Sequence, residues 1–156
     1  MNRYIRHGTA TFEEIIPAIL ENWAAPKHLK KRLELKGFKM GVGSLRLVTF
    51  ARAFRDHGQI KCVQCGAEAS FFSIDSFPSV NITPSVHLNL FGIRHTNMGP
   101  EELLFTHDHI LARGLGGEDN LENTQVMCSP CNSRKGAKEG KIKERLMKLF
   151  LYLGGL

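Results

Sequence analysis

The hydrophobic period of this chain changes twice. Over residues 11–23, Phe12, Ile15, Ile16, Ile19 and Leu20 recur at helical spacing behind Thr11 and Glu14, the two members of a capping box. Pro17 falls inside that run and predicts a kink or an early end. A second helix is expected to open at Pro26, a good first helical position, and to stop at Gly37. A third runs from Ser44 as N-cap to Gly58 as C-terminal cap. It offers Leu45, Val48, Phe50, Ala51 and Phe54 for burial and Arg46, Arg52 and Arg55 for solvent or phosphate. From Gly66 the apolar segments shorten and are broken by Pro78, Pro84, Gly92 and Gly99. Val86, Leu88 and Leu90 alternate with His87 and Asn89, which predicts a strand with one buried face. A turn within 94–100 returns the chain as 101–110, completing a hairpin. An irregular loop over 112–123, a short strand over 124–127 and an amphipathic helix over 142–153 follow. Its stripe of Ile142, Leu146, Leu149, Phe150 and Leu153 reads as a core-packing face, with a dimer surface as the alternative.

The class is therefore α+β, in three parts: a helical region over 1–60, a core over 61–137 and a C-terminal helix over 138–156. Charge follows this division. The net charge is +6, yet residues 1–61 hold 12 Lys/Arg against 5 Asp/Glu, whereas residues 62–156 hold 9 against 10. A basic third beside a near-neutral remainder suits a part that grips a polyanion, the alternative being a solvated basic face. No apolar run reaches the roughly 18 residues of a membrane span. The first residues lack the apolar stretch of a signal peptide, so a cytoplasmic location is the expectation.

The four cysteines, Cys62, Cys65, Cys128 and Cys131, form two Cys-x-x-Cys pairs with none left over. In a reducing compartment such pairs read as a zinc site before they read as disulfides or redox dithiols. Four thiolates fill the tetrahedral shell of zinc and leave no position for substrate, so this ion is structural.

Between the two pairs, and running on through the second, lies the informative stretch: His107-Asp108-His109-Ile110, a Gly-rich loop, Asn120, Asn123, Cys128-Ser129-Pro130-Cys131-Asn132 and Lys135. Hydrolysis of a phosphodiester needs a base to deprotonate water and a divalent ion to neutralise charge on the leaving oxygen. Histidine suits the first task. An aspartate and an amide oxygen are hard ligands for the second. Asp108, His109 and Asn132 are these three residue types, and a zinc knuckle directly before Asn132 can hold it against the strand that ends at Asp108. His107 shares strand parity with Leu103 and Phe105 and reads as structural.

The ordered pattern Asp-His-Ile, Gly-Gly, Asp-Asn-Leu-x-Asn-x-Gln, Cys-x-x-Cys-Asn-x-x-Lys resembles the HNH endonuclease family over roughly residues 62–136. The resemblance implies a ββα-metal core with a four-cysteine zinc site, here carrying a β-hairpin insert and an α-helical N-terminal extension. It implies Asp108 and Asn132 as ligands of a catalytic Mg2+ or Mn2+ ion, with His109 as general base. Asn123 would brace the loop and orient that base. The last position of the motif is Asn rather than His, which favours a hard ion. The small size and the insert are similar to free-standing bacteriophage members, in which case the location is the host cytoplasm. The implied partner is double-stranded DNA, cut to leave 5′ phosphates. Candidate phosphate contacts are Lys30, Lys31, Arg52, Arg55, Arg113, Arg134 and Lys135. Cutting both strands with one site per chain favours a homodimer. The rival readings are a non-catalytic, zinc-stabilised nucleic-acid-binding module and an RNA-directed nuclease.

Overall fold

A computed structural model of the chain describes residues 4–26, 30–77 and 85–153. Their order is β1 (Ile5–Ala10), α1 (Phe12–Ala24), β2 (Arg32–Leu35), β3 (Phe38–Gly41), α2 (Leu45–His57), β4 (Phe71–Ser76), β5 (Val86–Thr96), β6 (Gly99–His109), β7 (Thr124–Cys128) and α3 (Ser129–Leu153). The architecture is mixed α+β, with a five-stranded antiparallel sheet ordered β1-β4-β5-β6-β7. None of the described helices is long and apolar enough to cross a membrane.

The helix ends follow their capping chemistry. The Thr11 hydroxyl accepts from the Glu14 amide at 3.3 Å while the Glu14 carboxylate accepts from the Thr11 amide at 2.7 Å. Pro17 does not end α1, which continues to Ala24. Ser44 caps α2, and Gly58 closes it in the left-handed conformation.

The expected helix from Pro26 to Gly37 is instead the hairpin β2–β3, with residues 27–29 outside the described ones. Leu35 pairs with Phe38 and Leu33 with Met40, around the two-residue turn Lys36-Gly37. Both turn residues have positive φ, 50° and 81°, which matches the right-handed twist of a hairpin. Leu33, Leu35, Phe38 and Met40 thus alternate at period two, and Met40 is fully buried. The N-terminal third is also not purely helical. β1 pairs with β4 and so belongs to the main sheet.

One row of side chains organises the core. Phe72, Leu90, Phe105 and Cys128 stand side by side across β4, β5, β6 and β7. On this face pack Ile15 and Ile19 of α1 and Leu47, Val48 and Phe50 of α2, all buried. The expected hairpin is β5–β6, turned at Asn97-Met98. α3 starts thirteen residues before the helix predicted at 142, directly from the second cysteine knuckle. Its apolar stripe does not pack into the core. Ile142, Leu146, Met147, Leu149 and Phe150 are 49–76% exposed.

Candidate active site

The zinc-type cluster sits at the end of the Phe72–Cys128 row. Cys62 and Cys65 lie on a knuckle closed by the Gly66 amide donating to Cys62 O at 2.9 Å. The Val63 amide donates to Val126 O and ties this knuckle to β7, whose last residue is Cys128. The four Sγ atoms lie within 4.8 Å of one another, and Cys65 and Cys128 are 3.7 Å apart. That separation is far too long for a disulfide and close to the edge, roughly 3.8 Å, of a sulfur tetrahedron around zinc. These residues could hold zinc.

The electrostatics of the cluster call for a cation. Burial opposes a thiolate at Cys62, but the amides of Cys128, Cys65 and Gln64 converge on it and hold its pKa down at about 7. Burial pushes Cys128 up to about 12, and Cys131 is raised for the same reason. Four adjacent thiols cannot all ionise unless positive charge compensates them. Arg134 supplies part of it, donating from Nη2 to Cys131 Sγ at 3.0 Å.

Arg46, His107, Asp108, His109, Arg113 and Asn132 meet in a cleft of about 520 Å³ at the end of β6. Asp108 and His109 point to opposite faces of β6, as neighbours on a strand must. Both line the cleft because β6 ends at His109. Asp108 is only 8% exposed. Its Oδ2 accepts from Gln125 Nε2 at 2.7 Å, Gln125 being its register partner on β7. Lys135 Nζ lies 3.1 Å from the same oxygen and donates to His109 O at 2.6 Å. Although burial opposes its charge, bonds to Glu139 and Asp108 keep Lys135 above its ordinary pKa. Asn132 donates from Nδ2 to Thr106 Oγ1 at 2.9 Å, which settles the amide orientation and leaves Oδ1 as its acceptor. A carboxylate and an amide oxygen in one cleft fit a hard divalent ion.

His109 Nε2 meets Asp119 Oδ1 at 2.7 Å. That bond holds the Asp119 carboxyl below its ordinary pKa, so the carboxylate accepts and the ring donates. In the neutral form of the ring, Nδ1 is then the nitrogen that carries the lone pair. His107 is not buried among core residues. It lines the cleft with its ring centroid 5.6 Å from that of His109. Burial, then His109 and Arg46, hold its pKa below the ordinary histidine value.

Asn123 does not line the cleft but ties its loop. Its Nδ2 donates to Leu111 O and Glu118 O at 3.0 and 2.8 Å, and its Oδ1 accepts from the Leu111 amide at 2.9 Å. Asn120 Oδ1 accepts from the Asn123 amide. The loop closes this tightly because residue 117 is glycine. A Cβ there would stand 1.8 Å from Leu111 O and 2.8 Å from Asn123 Nδ2. Gly117→Ala is therefore expected to lower stability by about 1–3 kcal/mol. Thermal unfolding measures the loss, and faster amide exchange at Leu111 and Asn123 localises it.

The other cations predicted to touch phosphate are mostly engaged elsewhere. Arg52 Nη2 donates to Thr124 O at 2.9 Å, bracing α2 on β7. Arg55 pairs with Asp56, and Lys30 Nζ lies over the Trp23 ring at 5.3 Å. The Lys31 amide donates to Asn22 Oδ1. Of these four, none lines the cleft, whereas Arg113 does. Arg46 was grouped with Arg52 and Arg55 by sequence, and only the structure separates it from them. Asp119 stands in the Asp-Asn-Leu-x-Asn-x-Gln pattern but nothing there assigned it a role, and Thr106 lies outside the pattern. Gln125 was recoverable, since an antiparallel register with His109 opposite Thr124 puts it beside Asp108.

A strand, a tied loop, a second strand and a helix bring Asp, His and Asn into one cleft beside four clustered thiols, an arrangement chemically able to serve hydrolysis. The comparison with protein families agrees. Residues 99–150 match the model of the HNH endonuclease family, so this third of the chain carries an HNH endonuclease domain. No curated protein and no solved structure matches the chain.

Proposed function

We propose that the protein is a metal-dependent DNA endonuclease, with β6, β7 and α3 as its ββα-metal core and a structural zinc ion on Cys62, Cys65, Cys128 and Cys131. The observation that carries this reading is the meeting of Asp108, His109 and Asn132 in one cleft within the matched segment. Asp108 and Asn132 Oδ1 would hold a Mg2+ or Mn2+ ion, which when bound supplies positive charge to the phosphate oxygens. His109 Nδ1 takes a proton from water positioned for attack, and Asp119 holds the imidazole in the tautomer that leaves Nδ1 free. Asn123 keeps the loop that bears Asp119 in place through Glu118 O. Lys135 matches the charge of Asp108, and Glu139 offers Lys135 a second anion at 2.7 Å when Asp108 turns to a metal.

The substrate is duplex DNA, reached through Arg113 and the basic N-terminal third, with contacts to phosphate rather than to bases. One copy of the chain nicks one strand; cleavage of both calls for two copies. The test is supercoiled plasmid incubated with the protein and Mg2+ or Mn2+, with and without chelator. Metal-dependent conversion to nicked circles supports the reading, and intact plasmid under every ion and sequence tried overturns it. Asp119→Asn is expected to slow nicking by roughly ten- to hundredfold with little change in DNA affinity, since it removes the partner that orients the base. Matched nicking rates for the variant and the parent would remove Asp119 from the mechanism.

A further inference from the structure

Arg46 lies outside the matched segment, on the first turn of α2, yet it forms part of the cleft wall. The reason is a gap in the sheet. The pairing of β5 with β6 ends at Leu90 and Phe105; beyond that point β6 continues with β7 while β5 continues with β4. Leu88 O is thereby left without a β6 partner, and Arg46 takes that place, donating from Nη2 at 2.6 Å. Its Nη1 donates to Asn89 Oδ1 at 3.0 Å, and Asn89 Nδ2 donates to Asp75 Oδ2 at 2.8 Å. Asp75 is 1% exposed and also accepts from Ser73, so the anchor for this arginine is a buried, hydrogen-bonded chain.

No carboxylate of the cleft is paired with Arg46. Asp108 and Glu139 share Lys135, and Asp119 meets the His109 ring. Asp75 has Arg6 at 3.6 Å. Among the described residues no carboxylate lies within ion-pairing distance of Arg46, although burial already works against its charge. A guanidinium has five N–H donors, and two of them are spent on β5. A fixed, partly desolvated cation with donors to spare, in a cleft beside a candidate hydrolytic centre, suits an anion that enters from solvent.

We propose that Arg46 binds a backbone phosphate of the substrate in this cleft, with Arg113 facing the same phosphate run from the loop. This assignment rests on the endonuclease reading for the identity of the substrate, but the anion site itself does not. In the fold, α2 thereby contributes a substrate contact to a site whose candidate catalytic groups all come from β6, its loop and α3. The pre-set fork of Arg46 selects phosphate geometry, which a flexible lysine would not.

Two measurements test this. In chelator, Arg46→Gln is expected to weaken binding of a short mixed-sequence duplex about tenfold and to lower the salt slope by about one. Arg46→Lys restores the slope but not the plasmid-nicking rate. In the unmodified protein, inorganic phosphate titrated against the Arg46 Nε–Hε NMR signal is expected to shift it. Unchanged affinity and slope in a folded Arg46→Gln protein show that Arg46 only braces the sheet gap and overturn the proposal. If Arg46→Gln does not fold, the phosphate titration decides: an unmoved signal overturns the proposal and a saturable shift supports it. A shift in a protein that nicks no DNA keeps the anion site and removes the endonuclease reading. Nicking with no effect at Arg46 does the reverse.

Discussion

Replacing His109 by alanine is expected to cut the rate of metal-dependent plasmid nicking by a factor of about 10² to 10⁴ while leaving fold, zinc content and DNA affinity as they were. The expectation follows from where the side chain stands. His109 is the last residue of β6, and its ring makes one bond, to the exposed carboxylate of Asp119. Removing it leaves no buried group without a partner, since Asp119 simply returns to water. The backbone of residue 109 stays paired to Thr124, and its carbonyl still accepts from Lys135. A stability cost above about 1 kcal/mol is therefore not expected, and any loss of rate reports chemistry. The measurement is initial nicking rate at saturating Mg2+, beside a thermal melt and a binding curve in chelator. An alanine variant as fast as its parent would transfer the base to another group, with His107 the nearest imidazole. A protein that binds duplex tightly but nicks nothing, before or after the substitution, would be a binding module instead.

The parts legible in the sequence are those where local chemistry decides. Thr11 with Glu14, and Ser44 with Gly58, announce helix ends because capping is settled within four residues. The cysteine pairs and the ordered Asp, His and Asn positions announce a site because metal binding and hydrolysis restrict residue type so strongly. Where partners are distant in sequence, local signals mislead. Pro26 and the lysines after it suited a helix, but burial of Met40 and the Lys36-Gly37 turn favour a hairpin. The stripe over 142–150 has helical spacing and indeed forms a helix, yet spacing cannot say whether anything covers it. Arg46, Arg52 and Arg55 look alike on one helix. Their surroundings separate them: a sheet gap for Arg46, the end of β7 for Arg52 and the neighbouring Asp56 for Arg55.

Cys128→Ser and Asp108→Ala should fail in different ways, and the contrast tests whether two metal centres exist. Cys128 ends the row Phe72–Leu90–Phe105–Cys128 and is 2% exposed, so serine puts a hydroxyl where a thiol met three others. Zinc binding in small modules contributes on the order of 10 kcal/mol to folding, comparable to the whole stability of a domain. The serine variant is thus expected to lose stoichiometric zinc and to melt near or below working temperature, with activity lost as a consequence. Asp108 stands on the other side of β6 from that row, toward α3. In Asp108→Ala, Lys135 keeps Glu139 and the His109 carbonyl, so its charge is not stranded. That variant is expected to retain zinc and its melting behaviour and to lose Mg2+-dependent nicking alone. Zinc counted by elemental analysis, beside melts of both proteins, separates the outcomes. Equal zinc loss in the two would mean that Asp108 and the thiols serve one centre. Zinc retained in Cys128→Ser would mean that the thiols hold no ion, and the knuckles would then stand on their backbone bonds to β7 alone.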